Sequence, residues 1–160
     1  MKILVVSDSH GRNFNLNKII DKVSPIDLLI HLGDFEGNED EVQLIAGCPT
    51  EMVAGNNDYF CSLDREKIIT MGNHKVFMTH GHRYHVYYGL DELKDAARVN
   101  GADIALYGHT HCPLLDQSSD VTVLNPGSVS LPRQEGRIPS YAIIDIDSDG
   151  VAHYTINYLE

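Results

Sequence analysis

Five short apolar runs, each followed at once by a polar cluster, constrain the fold of this 160-residue chain more than any other feature. The runs are three or four residues long and rich in β-branched side chains, which is typical of strands buried on both faces. Ligands of open α/β sheets bind beyond the carboxyl ends of the strands, so we expect the clusters to share one crevice. The runs cover 3–6, 28–30, 52–54, 76–78 and 104–106, and the clusters cover 7–11, 31–34, 55–58, 79–82 and 107–111.

Helical spacing of apolar residues fills the gaps between several of these strands. It predicts helices over 14–23, 39–46 and 90–99, each ended by Pro, Gly or Asn-Gly. The last third of the chain changes character and predicts strands over 121–124, 141–146 and 151–158. The turn at 147–150 joins the last two strands as a β-hairpin. Alternating strands and helices followed by strands predict a single α/β domain over residues 1–160, with mixed sheets.

The net charge and the cysteine content limit which partners the protein can bind and in which cellular compartment it is expected. Asp and Glu total 23 against 12 Lys and Arg, a net charge of −11, which argues against binding a nucleic-acid polymer. No apolar stretch approaches the roughly 20 residues of a membrane helix, so we expect no membrane association. The three cysteines are widely spaced and odd in number, which argues against a disulfide framework. We therefore expect a soluble cytoplasmic protein.

The polar clusters supply donors suited to metal ions. Seven oxygen and nitrogen donors are too many for one structural zinc, but they suit two divalent ions bridged by a carboxylate. Mixed carboxylate, amide and imidazole donors favour Mn, Fe, Zn or Ni over Ca or Mg alone, and we take Mn as the first expectation. Pairs two residues apart would point to one side of an extended backbone. The seven candidates are Asp8, His10, Asp34, Asn56, His80, His109 and His111.

These motifs resemble, in order, those of the calcineurin-like metallophosphoesterases. The short length and the Asn-Pro-Gly-Ser loop at 125–128 resemble the compact bacterial and archaeal phosphodiesterase branch. The resemblance implies an αββα sandwich, in which two mixed sheets are flanked by helices. It also implies that Asp34 bridges two metals. The ligands of one metal would then be Asp8, His10 and His111, and those of the other Asn56, His80 and His109.

The resemblance implies hydrolysis of a small phosphorylated substrate by a metal-activated hydroxide. Many family members carry a histidine after the Asn ligand, whereas this chain has Asn57. An amide can hydrogen-bond a phosphate oxygen but cannot act as a general acid near neutral pH. We expect His82 to be the substitute proton donor. Asp58 is expected to orient Asn56 or a ligand imidazole.

Several residues near the motifs have two interpretations. His85 with three neighbouring tyrosines could form a lid that stacks on a nucleoside or aryl group, or a surface loop or subunit contact. Arg133 could clamp a phosphate, although a surface ion pair is our expectation. His31 is expected to be a buried histidine rather than a ligand, and Cys112 a buried thiol. Two histidines outside the motifs, His74 and His153, are expected to be solvated.

Three functions remain open from the sequence. The motifs do not separate phosphodiesterase from phosphomonoesterase action on nucleotides or phosphoproteins, but the missing second histidine and the small size favour diesters. A third alternative is a binding scaffold like the eukaryotic retromer subunit, a relative with a degraded metal site. All seven ligand types are intact here, which disfavours a scaffold. Related small enzymes often self-associate, so a homo-oligomer is an expectation from the resemblance alone.

Overall fold

Two five-stranded sheets form the centre of the computed structural model, which describes residues 1–160. The elements in chain order are β1 (Lys2–Val6), α1 (Phe14–Val23), β2 (Leu28–His31), α2 (Glu39–Ala46), β3 (Thr50–Met52), β4 (Glu66–Met71), β5 (His74–Thr79), α3 (Asp91–Val99), β6 (Ile104–Leu106), β7 (Pro113–Asp116), β8 (Thr122–Pro126), β9 (Ser140–Ile146) and β10 (Ala152–Tyr158). A short 3-10 turn covers His82–Tyr84. No helix of the chain is both long enough and apolar enough to span a membrane.

Both sheets are mixed, and each contains three neighbouring parallel strands. The first has the order β10-β9-β1-β2-β3, with β1, β2 and β3 parallel and β9 antiparallel to β1. The second has the order β4-β5-β6-β8-β7, with β5, β6 and β8 parallel and β4 and β7 antiparallel at the edges. The fold class expected from the sequence and from the resemblance is therefore confirmed.

Three apolar clusters build a four-layer sandwich from these sheets. The first lies between the sheets and joins Ile3 and Val5 of β1 to residues of the second sheet such as Val76 and Met78. A second cluster packs α1 and α2 on the outer face of the first sheet, and a third packs α3 on the outer face of the second. Consecutive residues of β1 thus point to opposite buried faces, which is why the strand contains an unbroken apolar run.

The helices occur where apolar spacing predicted them. In α1 the residues Leu16, Ile19, Ile20 and Val23 are buried on one face, and Pro25 follows the end of the helix. Helix α2 ends at Gly47, whose φ of 60° is the left-handed conformation that glycine adopts without steric penalty. The predicted hairpin of β9 and β10 is also confirmed by its antiparallel register.

The sequence missed the edge strands β4 and β7. Strand β4 alternates exposed and half-buried residues and begins with a charged pair, Glu66-Lys67, so it has no apolar run. Strand β7 begins with Pro113 and is half-buried throughout, as expected for an edge. The third strand was also misplaced: it covers Thr50–Met52 rather than 52–54, because Val53 and Ala54 are buried in the loop that follows.

Candidate metal centre

The strand ends of the two sheets meet at one point, where most of the candidate ligands lie. The loop after β1 hydrogen-bonds to the loop after β2, from the Asp8 amide to the Gly33 carbonyl at 3.0 Å and from the His10 amide to the Asp34 carbonyl at 2.8 Å. It also contacts the loop after β6, because the His109 amide donates to Asp8 Oδ2 at 3.1 Å. The clusters therefore converge from both sheets rather than from one.

Two groups of ligand atoms share Asp8. The first contains Asp8, His10 and His111, and the second contains Asp8, Asp34 and His80. Within each group all ligand atoms lie within 4.8 Å of one another. Asp8 Oδ1 is 3.1 Å from His111 Nε2 and 3.8 Å from the Nε2 atoms of both His10 and His80. The Asp8 carboxylate therefore lies between the two groups.

Asp34 also faces both groups. Its Oδ2 atom is 3.5 Å from His80 Nε2 and 3.9 Å from His10 Nε2. The bridging role given to Asp34 by the resemblance is compatible with these distances, and Asp8 is placed as centrally. The assignment of each ligand to one metal stays a prediction.

The donor atoms fit divalent cations. The ring Nδ1 of His80 donates to the Leu32 carbonyl at 2.7 Å, and that of His111 donates to the Leu131 carbonyl at 2.6 Å. The neutral ring then presents the lone pair of Nε2 to the centre, the tautomer that metal ligands require. Asp8 Oδ1, Asn56 Oδ1 and His80 Nε2 are buried without hydrogen-bond partners. A cation at this point would satisfy buried acceptors that are otherwise costly.

Two of the predicted ligands lie outside the two compact groups. The His109 ring packs against His80 with 5.2 Å between ring centroids, and its backbone rather than its side chain contacts Asp8. Asn56 contributes a buried amide oxygen that has no hydrogen-bond partner. The structure thus brings five of the seven candidates into two ligand groups that share Asp8, and it places His109 beside His80 and Asn56 on the loop after β3.

The expectation of an extended backbone at the paired motifs is wrong. Asp8, His10, Asp34, His109 and His111 have φ values of 55°, 46°, 56°, 67° and 57°. Residues other than glycine rarely adopt this left-handed conformation, and such residues cluster at functional sites. In the pairs Asp8/His10 and His109/His111, the left-handed turns themselves direct the side chains to the centre. The alternation of side chains along an extended strand does not.

Charges within the centre shift the pKa values of the carboxylates. Burial raises the pKa of Asp8, but the adjacent His111 ring, whose Nε2 lies 3.1 Å from Oδ1, and the nearby His80 outweigh it and hold that pKa below its usual value. At Asp34 burial is likewise outweighed, by His80 and the two Asn57 N–H groups, so its pKa is also low. Both carboxylates are therefore anionic at neutral pH, as metal binding requires.

Asn57 and Asp58 support the loop that carries Asp34. The Asn57 amide and its side-chain Nδ2 donate to the two carboxylate oxygens of Asp34, at 2.9 and 2.8 Å. Asp58 does not contact the Asn56 side chain or an imidazole as expected. Instead it accepts from the backbone amides of Asp34, Glu36 and Gly55, each at 2.7 Å. Asp58 thus holds the ends of β2 and β3 together.

His82 lies beside the centre but in a neutral state. Its ring centroid is 5.6 Å from that of His80 and 6.0 Å from that of His109. Burial together with these two imidazoles lowers the pKa of His82 to about 4. Its Nδ1 atom is buried without a partner. The position is compatible with contact to a substrate, whereas the low pKa leaves no imidazolium to donate a proton at neutral pH.

The other residues singled out from the sequence have mixed outcomes. His31 is fully buried, as expected, and its Nε2 is 2.9 Å from the Ser9 hydroxyl. His74 is not simply solvated, since Asp103 and the Gly150 carbonyl bind its two nitrogens. The expected ion pair of Arg133 is not observed, because its guanidinium donates to the Tyr87 hydroxyl at 2.8 Å. Cys112 is half-buried, and His153 is exposed beside Asp147.

Sequence reasoning missed two groups that anchor the ligands. Glu36 Oε1 lies 2.6 Å from His10 Nδ1 and orients that ring. The hydroxyls of Ser128 and Ser130 donate to the Asp8 carbonyl at 2.8 and 3.0 Å, which holds the left-handed turn at Asp8. Two features of the sequence could have indicated these contacts. Glu36 follows the ligand Asp34 by two positions, and Ser128 is the last residue of the loop at 125–128.

The comparison with known families decides the identity of this fold. The sequence profile of the calcineurin-like phosphoesterase superfamily domain matches residues 1–149. This chain belongs to that superfamily. A probable metallophosphoesterase of Bacillus subtilis, YsnB, is 35% identical over 157 residues, which cover 93% of this chain and 86% of the relative. Membership of this superfamily, together with the grouped donors, supports a phosphoester hydrolase that uses divalent metals.

Two solved structures share the metallophosphoesterase fold over the whole chain. One, described as a novel archaeal phosphodiesterase, has a TM-score of 0.72 and 25% identity and covers 98% of this chain and 100% of its own. The other, a single mutant of Vps29 from Entamoeba histolytica, has a TM-score of 0.80 and 23% identity and covers 100% of both chains. The second likeness shows the fold alone.

Proposed function

We propose that this metallophosphoesterase hydrolyses phosphodiester bonds of a small soluble substrate and uses two divalent ions, with Mn as the first expectation. The observation that carries the proposal is the pair of donor groups that share Asp8. Each group offers anionic oxygens and imidazole Nε2 atoms whose partner nitrogens are already engaged. This donor set suits Mn, Ni, Zn or Fe.

The chain's own residues have three tasks in this proposal. Asp8, His10 and His111 would hold one ion, Asn56, His80 and His109 would hold the other, and Asp34, which faces both groups, would contribute to both. When bound, such ions supply positive charge for the phosphate oxygens and lower the pKa of a coordinated water to about 7. Asn57 keeps the Asp34 carboxylate in place through two hydrogen bonds. His82, a neutral imidazole beside the centre, is positioned to hydrogen-bond a substrate oxygen.

Diesters are favoured because a strong proton donor is missing. Asn57 replaces the histidine, and His82 is neutral, so the site offers no imidazolium from either residue. General acid catalysis contributes about 10²–10⁴-fold, so leaving groups that depart without protonation are preferred. The archaeal phosphodiesterase with this fold supports the same choice. The net charge of −11 disfavours polymeric polyanions, and free cysteines suit the cytoplasm.

The test combines metal removal with two model substrates. Purified protein is treated with a chelator, and hydrolysis of bis-p-nitrophenyl phosphate and p-nitrophenyl phosphate is measured after addition of Mn, Ni or Zn. We expect loss of diester hydrolysis on chelation, rescue by Mn, and about two ions per chain by metal analysis. A faster monoester reaction would establish the phosphomonoesterase alternative. Full diester activity in the chelated protein would refute metal dependence.

A matched pair of variants separates the centre from the other histidines. We expect His111→Ala to lose metal content and activity, because its Nε2 lies 3.1 Å from Asp8 Oδ1. His153→Ala removes an exposed imidazole paired with Asp147 and should leave both measurements unchanged. A protein that holds no ions and hydrolyses neither substrate would instead support the scaffold alternative.

A further inference from the structure

A cavity of about 430 Å³ adjoins the metal centre and is not used by the ligands. Its wall includes Glu36 and Asn57, which also contact the centre. Glu36 lies 2.6 Å from His10 Nδ1, and Asn57 Nδ2 is 2.8 Å from Asp34 Oδ2. A phosphoester bound at the centre would therefore have this cavity within reach of one of its organic groups. The volume lies within the range of about 300–1,000 Å³ that small-molecule sites occupy.

Two exposed aromatic side chains line the cavity. Tyr59 is 73% exposed and Phe60 is fully exposed. Both follow directly after Asn57 and Asp58 in the same loop. Large aromatic residues are usually buried, and an exposed pair beside a polar site is typical of a surface that stacks on a flat ligand. Tyr59 and Phe60 are therefore the two residues that follow the segment Asn57-Asp58, which supports Asp34.

The charged groups of the cavity are all acidic. Glu36, Glu39 and Asp58 line it, and no lysine or arginine does. Glu39 Oε2 is shielded from solvent and has no hydrogen-bond partner. A second phosphate or a carboxylate would be repelled here, whereas a hydroxyl or amino group would satisfy the unpartnered oxygen. The wall thus selects a group that is uncharged, aromatic and able to donate hydrogen bonds.

We propose that this cavity receives an uncharged aromatic ester group of the substrate, a nucleoside or an aryl alcohol, stacked on Tyr59 and Phe60. This inference rests on the proposed phosphoesterase function and names its substrate class. The tyrosines on the other side of the centre are less suited. The Tyr87 hydroxyl is already engaged by Arg133 and the His109 carbonyl, and Tyr88 lines a smaller cavity of about 170 Å³ that contains no candidate ligand.

Kinetics with an aromatic diester provide the first test. For bis-p-nitrophenyl phosphate with Mn, we expect Phe60→Ala to raise KM about tenfold while kcat changes less than about twofold, because stacking is lost and the centre is untouched. Tyr88→Ala removes a ring that is 91% exposed and serves as the matched control, with an unchanged KM expected. An unchanged KM in Phe60→Ala, or an equal rise in Tyr88→Ala, would overturn the proposal.

A binding measurement separates this inference from the proposed function. The chain contains no tryptophan, so Phe60→Trp and Tyr88→Trp each introduce a single fluorescent reporter. The Mn-loaded variants are titrated with adenosine 5′-monophosphate and with ribose 5-phosphate, which lacks the base. We expect quenching only in Phe60→Trp and only with the nucleotide. This pattern without any hydrolysis would support the cavity while refuting the enzyme, and equal or absent quenching in both variants would overturn the cavity proposal.

Discussion

Gly55→Ala is expected to weaken metal binding and to lower kcat by displacing Asp34. Gly55 lies where the loop after β3 crosses the loop after β2, with its own N and Cα atoms close to Gly33. A Cβ atom at Gly55 would lie 2.5 Å from the Asp34 amide nitrogen and 2.9 Å from its Cγ, and would overlap Oδ1. Backbone and carboxylate are therefore both in the way, and neither is the free end of a flexible side chain.

The size of the displacement can be worked out from these contacts. Ordinary van der Waals contact begins at 3.4 Å, so the Asp34 backbone would have to shift by about 1 Å. The shift would break the hydrogen bonds of Asn57 and Asp58 to Asp34, which are 2.7–2.9 Å long. Overpacking of this kind costs about 1–3 kcal/mol of stability. Misplacement by about 1 Å at a catalytic centre costs about 10²-fold in rate.

The assay compares stability, metal content and rate in one set of proteins. Urea unfolding gives the stability loss, metal analysis gives the ions held, and bis-p-nitrophenyl phosphate gives kcat. Gly47→Ala is the control, because nothing lies within 4 Å of its Cβ position and only its φ of 60° is unfavourable. We expect it to lose about 1 kcal/mol and to keep its metal and rate. A Gly55→Ala protein that keeps its metal content and kcat within twofold would refute the reasoning.

Three further predictions concern two residues beside the centre and one ion pair between α3 and β7. Asn57→His restores an imidazole beside Asp34, and we expect phenyl esters to gain at least about tenfold in rate relative to p-nitrophenyl esters; an equal change for both would exclude proton donation. Asp58→Asn replaces one acceptor oxygen by an N–H₂ group facing backbone amides, and urea unfolding should show a loss of about 1–3 kcal/mol, with an unchanged midpoint contradicting its role. Hydrogen bonds from Lys94 and Ser118 hold the pKa of Asp116 well below its usual value of 3.8, so its contribution is present above pH 4 and is lost as the pH falls further. The stability difference between the native chain and Asp116→Asn should therefore shrink between pH 5 and pH 2, and a constant difference would contradict the linkage.

The parallel strands that are buried on both faces could be predicted from the sequence, because such burial requires a continuous apolar run. Strands β1, β2 and β6 show this run, and their predicted bounds differ from the structure by at most one residue. The parallel strand β3 is half-buried and was misplaced. The edge strands β4 and β7 contact the core on one side only, so charged residues and proline interrupt them. The pairing of an edge strand depends on a neighbouring strand, and the apolar pattern within the edge strand itself does not reveal that neighbour.

The candidate ligands could be named from the motifs, but their geometry could not. Left-handed φ values at Asp8 and His111 are set by loop contacts such as Ser128 with the Asp8 carbonyl, which join residues 120 positions apart. Asp58 was expected at a ligand side chain and instead binds backbone amides, because only the fold shows that β2 and β3 end side by side. The order of the motifs therefore indicates which residues are candidate ligands. The contacts that support those ligands depend on tertiary packing and cannot be obtained from the motifs.

The negative net charge of the chain is compatible with phosphate binding when the local charge at the metal centre is considered separately from the total. Two divalent ions would change the net charge from −11 to about −7, and all four added charges would lie at one point between the strand ends. The adjoining cavity remains acidic through Glu36 and Glu39. In the proposed complex, a diester with a single negative charge would be attracted by the ions, while its uncharged group would lie against the acidic wall without charge repulsion. A polyanion would meet repulsion at this wall, so under the proposed function the same charge distribution would favour a small diester over a polymer.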